Sequence, residues 1–292
     1  WYTVIMKLWI KYIIGIVLGI IAGLILPTDS PAVGAVITAI QDFFVRFGRY
    51  TLLPLLLFGV SNAVYKLRSY KMIPKTSFWT AVVIVGSTVI VTVVGMISLL
   101  LVTLPRIPIT AEKVTEVMTI DIKSLIMQLF PYSSFEVILG ETFLLPVFIF
   151  AGFVGGGCTT DETASRPVIA LLLSAYRLFY SIMSFFVDWL SVGMIAIAAY
   201  WMMGIKAAVS VGTFFPLALL LLVDFILIVC LIYPLILRFL CKDHRPWHVL
   251  YASICPILAA FFSGDANLSL QINWRHGRES LGVHSRISGV TF

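Results

Sequence analysis

Charged residues are scarce in this chain. Asp, Glu, Lys and Arg together make up 12% of its 292 residues, whereas 60% are hydrophobic. Soluble domains carry about 25% charged residues. A soluble protein could not hide this much apolar surface, so the composition excludes a soluble binding module and predicts an integral membrane protein. Because the apolar runs are long rather than short and alternating, they predict helices rather than the strands of a barrel.

The motifs of common enzymes are also missing. The chain has no Walker loop, no dinucleotide fingerprint and no nucleophile elbow. We interpret its four histidines as interfacial, and its four cysteines show no C-x-x-C spacing. We interpret the cysteines as buried small hydrophobic residues rather than as disulfide or metal partners. Nothing in the sequence supports an enzyme, and no cofactor is predicted.

Six long apolar runs predict an all-α membrane protein. Each run exceeds the roughly 20 residues that a helix needs to cross the hydrocarbon core. Pro54 and Pro146 are expected to kink two of them, since proline removes a backbone donor. The fourth run is polar at its start and ends in three glycines, so it could be two or three helical pieces. The predicted runs are 4–27, 33–65, 76–104, 124–157, 167–203 and 208–241.

Lysine and arginine alternate between rich and poor loops along the chain. Because basic loops stay in the cytoplasm, we expect a multi-pass protein of the inner or plasma membrane with a cytoplasmic N-terminus. The net charge of +6 is explained by these loops and predicts no nucleic-acid partner. The rich positions are Lys7 and Lys11, then Lys66, Arg68, Lys71 and Lys75, then Arg166, and finally Arg238, Lys242 and Arg245.

A seventh apolar run, Pro246 to Phe262, is shorter and breaks in a small polar cluster. Non-helical backbone at membrane depth must lie inside protein or line a watery cavity, and transporters place solute sites at such breaks. The run therefore predicts a re-entrant hairpin that enters from the cytoplasm. The alternative is a seventh full span followed by a solvent loop. The predicted substrate-binding residues are Ser263, Gly264, Asp265 and Asn267.

Asp188 lies within the fifth predicted span and Asp224 lies deep in the sixth. A carboxylate at depth is costly and suggests function, although a protonated or paired structural carboxylate is the alternative. In the third span, Ser87 and Thr88 offer oxygens that suit Na⁺, unless they only bond their own helix backbone. A G-x-x-x-G-x-x-x-G pattern at Gly15–Gly23 predicts close helix packing.

The order of these features resembles the dicarboxylate/amino acid:cation symporter family, the bacterial homologues of glutamate transporters. Residues 6–27 (MKLWIKYIIGIVLGIIAGLILP) are similar to the first span of that family, and 42–64 (DFFVRFGRYTLLPLLLFGVSNAV) to its second. Residues 129–156 (LFPYSSFEVILGETFLLPVFIFAGFVGG) resemble its fourth segment. SLGV at 280–283, leading into SRISGVTF, resembles the exit of the hairpin into a seventh helix.

The resemblance implies a homotrimeric elevator-type symporter in the lipid bilayer, which moves a small anionic solute, a dicarboxylate or an acidic or neutral amino acid, together with Na⁺ or H⁺. It implies scaffold helices in 1–75 and 105–203. It also implies transport-domain elements in 76–104 and in 204–292, the latter with the sixth helix, the hairpin and the start of helix seven.

The resemblance also assigns site residues. It implies a cation site at Ser87 and Thr88 and a solute site at the hairpin tip. Ile84 stands where the family has a tyrosine, and Phe262 where it has an arginine, which implies altered recognition. The asparagine- and aspartate-rich motif and second hairpin of the family do not occur in the chain, so we expect the 292 residues alone to lack coupled transport. The alternative function is a non-transporting membrane subunit or a membrane-embedded enzyme.

Overall fold

The computed structural model describes residues 2–27, 30–102, 122–139, 144–210, 215–239 and 246–282. These residues form helices and short turns, without a strand. Four helical segments are long and apolar enough to cross a membrane, or five if a bent pair near the end is counted as one span. The expected all-α membrane architecture is confirmed. The four segments are Ala32–Ser69, Ile73–Leu101, Glu162–Lys206 and Phe215–Phe239.

The first half of the chain forms seven helices among these residues. They are α1 (Tyr2–Ile25), α2 (Pro31–Arg49), α3 (Leu52–Ser69), α4 (Ile73–Leu101), α5 (Ile122–Leu129), α6 (Ser134–Leu139) and α7 (Leu145–Gly157). The second half begins with the longest helix, of 49 residues. The elements of the second half are α8 (Glu162–Ser210), α9 (Phe215–Leu227), the π-turn (Ile228–Ile232), α10 (Tyr233–Phe239), α11 (Pro246–Ala252), α12 (Ile254–Ser263) and α13 (Ala266–Glu279). The π-helical turn is separate from the longest helix and follows α9.

Both prolines that were expected to kink a span lie in the first turn of a helix, and the segment Ala32–Ser69 is interrupted at Tyr50–Thr51, just before Pro54. Pro54 is the third residue of α3 and Pro146 the second residue of α7. In the first turn of a helix the missing N–H of proline has no partner to lose, so proline starts a helix there instead of bending one. The fourth predicted run does divide into three pieces, which are α5, α6 and α7.

Helices α1 and α8 run parallel in close contact. Tyr12 donates its hydroxyl hydrogen to the carbonyl of Val187 at 2.9 Å. One turn later a Cβ on Gly15 would lie 2.5 Å from the carbonyl oxygen of Ser191, and a Cβ on Gly23 would lie 2.8 Å from that of Ala199. The glycine face is therefore the packing surface that the repeat predicted, because any side chain would push α1 away from α8.

The pair α2–α3 runs antiparallel to α8 and completes the buried centre. Phe47 meets Phe186 with 4.2 Å between ring centroids, and Phe58 stacks on Phe179 at 5.6 Å. Helix α7 packs against α3, where a Cβ on Gly155 would clash with the backbone carbonyl oxygen of Ser61. The core of the protein therefore lies among α1, α2, α3, α7 and α8, and it also includes buried residues of α12 and α13.

Helices α4 and α9 lie apart from this core. Helix α4 has no buried residue at all. Helix α9 buries Leu220 and Asp224, half-buries Leu217 and Phe225, and exposes most of its other large side chains. Helices of this kind face lipid or another polypeptide over most of their circumference.

The last described segment folds back on itself. Helices α11 and α12 meet at 52°, and the ring of Tyr251 in α11 lies 5.8 Å from that of Trp9 near the start of α1. After the turn at Gly264 the chain returns, and Arg275 of α13 donates to the carbonyl of Ser184. Because α1 and α8 are parallel, Trp9 and Ser184 lie at about the same level along the bundle. The first arm of the hairpin therefore starts at the same end of the bundle at which the second arm finishes.

Candidate functional site

The hairpin tip is built from one left-handed glycine and one capping carboxylate. Gly264 ends α12 with φ 60°, a conformation that residues with a Cβ rarely adopt. Asp265 then caps α13, and its Oδ1 accepts a hydrogen bond from the backbone N–H of Asn267 at 2.9 Å. The backbone N–H of Asp265 donates to the Ser263 hydroxyl at 3.3 Å. The predicted residues Ser263, Gly264, Asp265 and Asn267 thus form one connected turn.

Asp265 also forms an ion pair with Arg49, the last residue of α2. The guanidinium Nε lies 2.6 Å from Oδ2 of Asp265. The carboxylate side chain is only 9% exposed, whereas the arginine side chain is 43% exposed. The tip therefore carries a neutralised pair whose positive partner is still reachable, an arrangement suited to binding an anion beside the first turn of α13.

The tip is held well inside the helix bundle. Gly48 of α2 leaves space for Leu268, which is 1% exposed and would lie within 2.9 Å of a Cβ on that glycine. Trp201 of α8 covers Gly264, with a ring carbon 3.2 Å from where a Cβ would lie. Arg49 is close to the middle of the 38-residue segment Ala32–Ser69, so the polar turn lies at mid-depth of that segment.

A polar network fixes the returning arm α13 to α8. Arg275 donates to Asp188 Oδ1 at 3.1 Å and to Glu279 Oε2 at 3.0 Å. Tyr180 donates its hydroxyl hydrogen to the other oxygen of Glu279 at 2.9 Å. Burial lowers the pKa of Arg275, but the two carboxylates outweigh burial and raise it, so the guanidinium stays charged. Asp188 is therefore a paired carboxylate that positions the hairpin.

Three buried side chains of α13 each have a nitrogen atom without a hydrogen-bond partner among the described residues. The unpaired atoms are Nε2 of Gln271, Nε1 of Trp274 and Nε2 of His276. Burial lowers the pKa of His276 to about 4, with Glu279 opposing the shift. The imidazole is thus neutral at pH 7 and close to the base of the hairpin, outside the four long spans.

The hydroxyls of Ser87 and Thr88 lie on the exposed helix α4. Ser87 Oγ donates to the carbonyl of Ile84 at 3.0 Å, and Thr88 Oγ1 donates to the same oxygen at 2.9 Å. Thr92 bonds back to Thr88 in the same way. Their oxygens keep free lone pairs, and the cation site there stays a prediction. The described residues contain no cluster of three or more His, Cys, Asp or Glu suited to a metal ion.

Arg49 is the site residue that the sequence did not single out. Its only sequence signal was a charge at the outer end of the second apolar run, near Asp42 and Arg46, a position that suggested either pairing with those residues or contact with the membrane interface. The structure instead pairs it with a residue 216 positions further along the chain. A charge at mid-depth of an apolar helix predicts a partner, but not which one.

Long apolar helices around a polar helical hairpin define a class of protein, the multi-pass membrane proteins. A comparison with models of protein families matches the sodium:dicarboxylate symporter family over residues 8–292, and the chain belongs to that family. This confirms the family expected from the resemblance. No curated protein sequence matches the chain.

Proposed function

We propose that the protein is a secondary active symporter that carries a small anionic solute, a dicarboxylate or an acidic or neutral amino acid, together with Na⁺ or H⁺. Membership of the family supports the transporter class. The observation that carries the solute proposal is the ion pair of Arg49 and Asp265 at a helix break deep in the bundle. Cation and solute binding at one broken helix is how secondary transporters couple the two.

In this proposal Arg49 is the anchor for a solute carboxylate. Its guanidinium has further N–H groups beyond the one given to Asp265, and a fork of donors matches a carboxylate. The Ser263 hydroxyl and the Asn267 amide are on the same turn and can bind the rest of a short solute. Asp265 balances the guanidinium when no solute is bound, so the positive charge is not left alone at depth.

We further propose an elevator mechanism in a homotrimer. The tightly packed helices α1, α2, α3, α7 and α8 serve as the scaffold, and α4, α9 and the hairpin belong to the moving part. The exposed apolar faces of α4 and α9 support this division because they leave those helices free of the core. Movement of the hairpin past α2 would break the Arg49–Asp265 pair in one state and form it in another. We also propose that the N-terminus lies in the cytoplasm, which puts both ends of the hairpin on the cytoplasmic side.

Uptake by the full-length gene product in proteoliposomes tests the proposal. Radiolabelled succinate, aspartate and alanine are supplied outside, with an inward Na⁺ gradient in one set and an inward proton gradient in another. Accumulation above the level without a gradient is expected for at least one solute. Arg49→Gln should abolish that uptake, whereas Arg46→Gln, on the same helix, should preserve it. Absence of uptake of all three solutes, or wild-type uptake by Arg49→Gln, contradicts the proposal.

A further inference from the structure

Asp224 is the second carboxylate within an apolar span, and the solute site does not use it. It is 9% exposed and, with Leu220 one turn before it, forms the only buried face of α9 in the described structure. The neighbouring side chains Leu221, Val223 and Ile226 are each more than half exposed. Helix α9 therefore turns its one carboxyl group inward against α4 and presents hydrocarbon elsewhere.

The partner of Asp224 is Ser98 near the end of α4. Ser98 Oγ lies 2.5 Å from Oδ1 of Asp224. The same hydroxyl oxygen lies 2.9 Å from the backbone carbonyl oxygen of Val94, one turn earlier in α4. One hydroxyl thus faces two oxygen atoms, and neither Val94 O nor an ionised carboxylate carries a hydrogen.

A serine hydroxyl has one hydrogen to donate. If Ser98 gives it to Val94, as serines in helices commonly do, the contact with Asp224 needs a hydrogen from the carboxyl group. Both contacts are then hydrogen bonds, and the carboxyl group is neutral. If Asp224 were ionised, Ser98 could satisfy only one of the two oxygens, and a charge would face hydrocarbon with a single donor.

No described cation compensates an ionised Asp224. None of the ion pairs of the described residues includes it. The charged residue of α4 is Lys75, about six helical turns before Ser98. The π-turn that follows α9 carries Cys230, and α12, which touches α9 through Phe261 and Phe225, carries Cys255. These are the titratable groups on the elements around Asp224, and none is cationic at that depth.

The backbone after Asp224 is irregular in the way that functional helices often are. Ile228–Ile232 form a π-helical turn directly after α9. Such a bulge leaves the hydrogen-bond register adjustable and is frequent at functional sites. A small change of register there would rotate α9 against α4 and separate Asp224 from Ser98.

We propose that Ser98 and Asp224 form a proton-binding site, and that its proton is the ion coupled to solute transport. The second half of this statement rests on the proposed function; the first does not. In the state described here, Asp224 holds the proton and donates it to Ser98 Oγ. When α9 separates from α4 on the side of lower proton concentration, the carboxyl group meets water and releases the proton, which leaves the carboxylate ionised.

Infrared spectroscopy of the full-length protein in lipid tests the binding site directly. At pH 7 we expect a carbonyl band of a protonated carboxylic acid that is absent in Asp224→Asn and shifted in Ser98→Ala. Asp188→Asn is the control and should retain the band, since Asp188 is paired with Arg275. The same band in wild-type and Asp224→Asn, or no such band at all, overturns the proposal. If Asp224→Asn does not fold, an unshifted band in Ser98→Ala overturns it equally.

Transport separates this inference from the proposed function. Asp224→Asn should lose solute accumulation driven by a proton gradient but keep the exchange of labelled for unlabelled solute, because exchange needs no net proton movement. Full proton-driven accumulation by Asp224→Asn overturns the coupling role while the symporter proposal stands. If the wild-type protein moves no solute at all, the proposed function fails, whereas the infrared result still decides whether the pair binds a proton.

Discussion

Arg49 and Asp265 are 216 residues apart in the chain, yet Nε of one lies 2.6 Å from Oδ2 of the other. The pair joins the end of α2 to the turn of the hairpin. It is the contact that brings the second apolar run and the seventh into one polar site. Its consequences for stability and topology can be measured separately from transport.

Removing one partner of this pair should destabilise the protein more than removing both. Asp265 is nearly buried, so Arg49→Gln leaves a carboxylate without its counter-charge at a cost of about 1–3 kcal/mol. The double variant Arg49→Gln/Asp265→Asn should recover part of that loss. Thermal unfolding in detergent measures the stability of the two single variants and the double variant, with Arg46→Gln as the control. Additive losses in the double variant would show that the pair is not coupled.

Both ends of the hairpin should be accessible from the cytoplasmic side. In a variant without native cysteines, single cysteines at His248 and Ser280 are expected to react with a membrane-impermeant thiol reagent applied to inside-out vesicles. A cysteine at Ser30 should react only from the opposite side. If a cysteine at Ser263 is reached only from the periplasmic side, the segment is a seventh full span and the re-entrant hairpin is wrong.

A methyl group at Gly155 should loosen α7 from α3. A Cβ there would overlap the backbone carbonyl oxygen of Ser61, and backbone cannot move aside as a flexible side chain can. We expect Gly155→Ala to cost about 1–3 kcal/mol. Gly152→Ala, on the same helix with nothing within 4 Å of its Cβ, should be neutral or slightly stabilising. Equal melting temperatures for the two variants would argue against this packing.

Acidification should weaken the base of the hairpin through His276. Burial lowers the pKa of His276 to about 4, whereas a histidine in the unfolded chain titrates near 6.5. Between these values the unfolded state binds the additional proton, so stability is full above about pH 6.5 and falls as the pH drops towards 4. The loss at pH 5 should be about 2 kcal/mol.

Urea unfolding at pH 7 and pH 5 measures this loss. His276→Gln should reduce the difference between the two pH values, because the group that takes up the proton is gone. His248→Gln, at an exposed position, should retain the difference. An unchanged pH dependence in His276→Gln would show that another group is responsible.

Some of the fold could be predicted from residue patterns alone. The apolar runs predicted long helices because a membrane helix needs only length and hydropathy, which are local properties. The spacing of Gly15, Gly19 and Gly23 predicted a close helix contact for the same reason, since every fourth residue shares a face. The effect of Pro54 and Pro146 was harder to predict, because it depends on where a helix begins, and both prolines lie in the first turn of one.

The partners of the polar residues could not be predicted in this way. The sequence showed that Asp188 and Asp224 were unusual, because a carboxylate in an apolar run is costly wherever it lies, and it singled out Asp265 as part of the polar break after the seventh run. Only the tertiary structure decided that they meet Arg275, Ser98 and Arg49 respectively. The physical reason is range: hydropathy and helical period act between neighbours in the chain, whereas the pairing of a buried charge depends on which distant helix packs beside it.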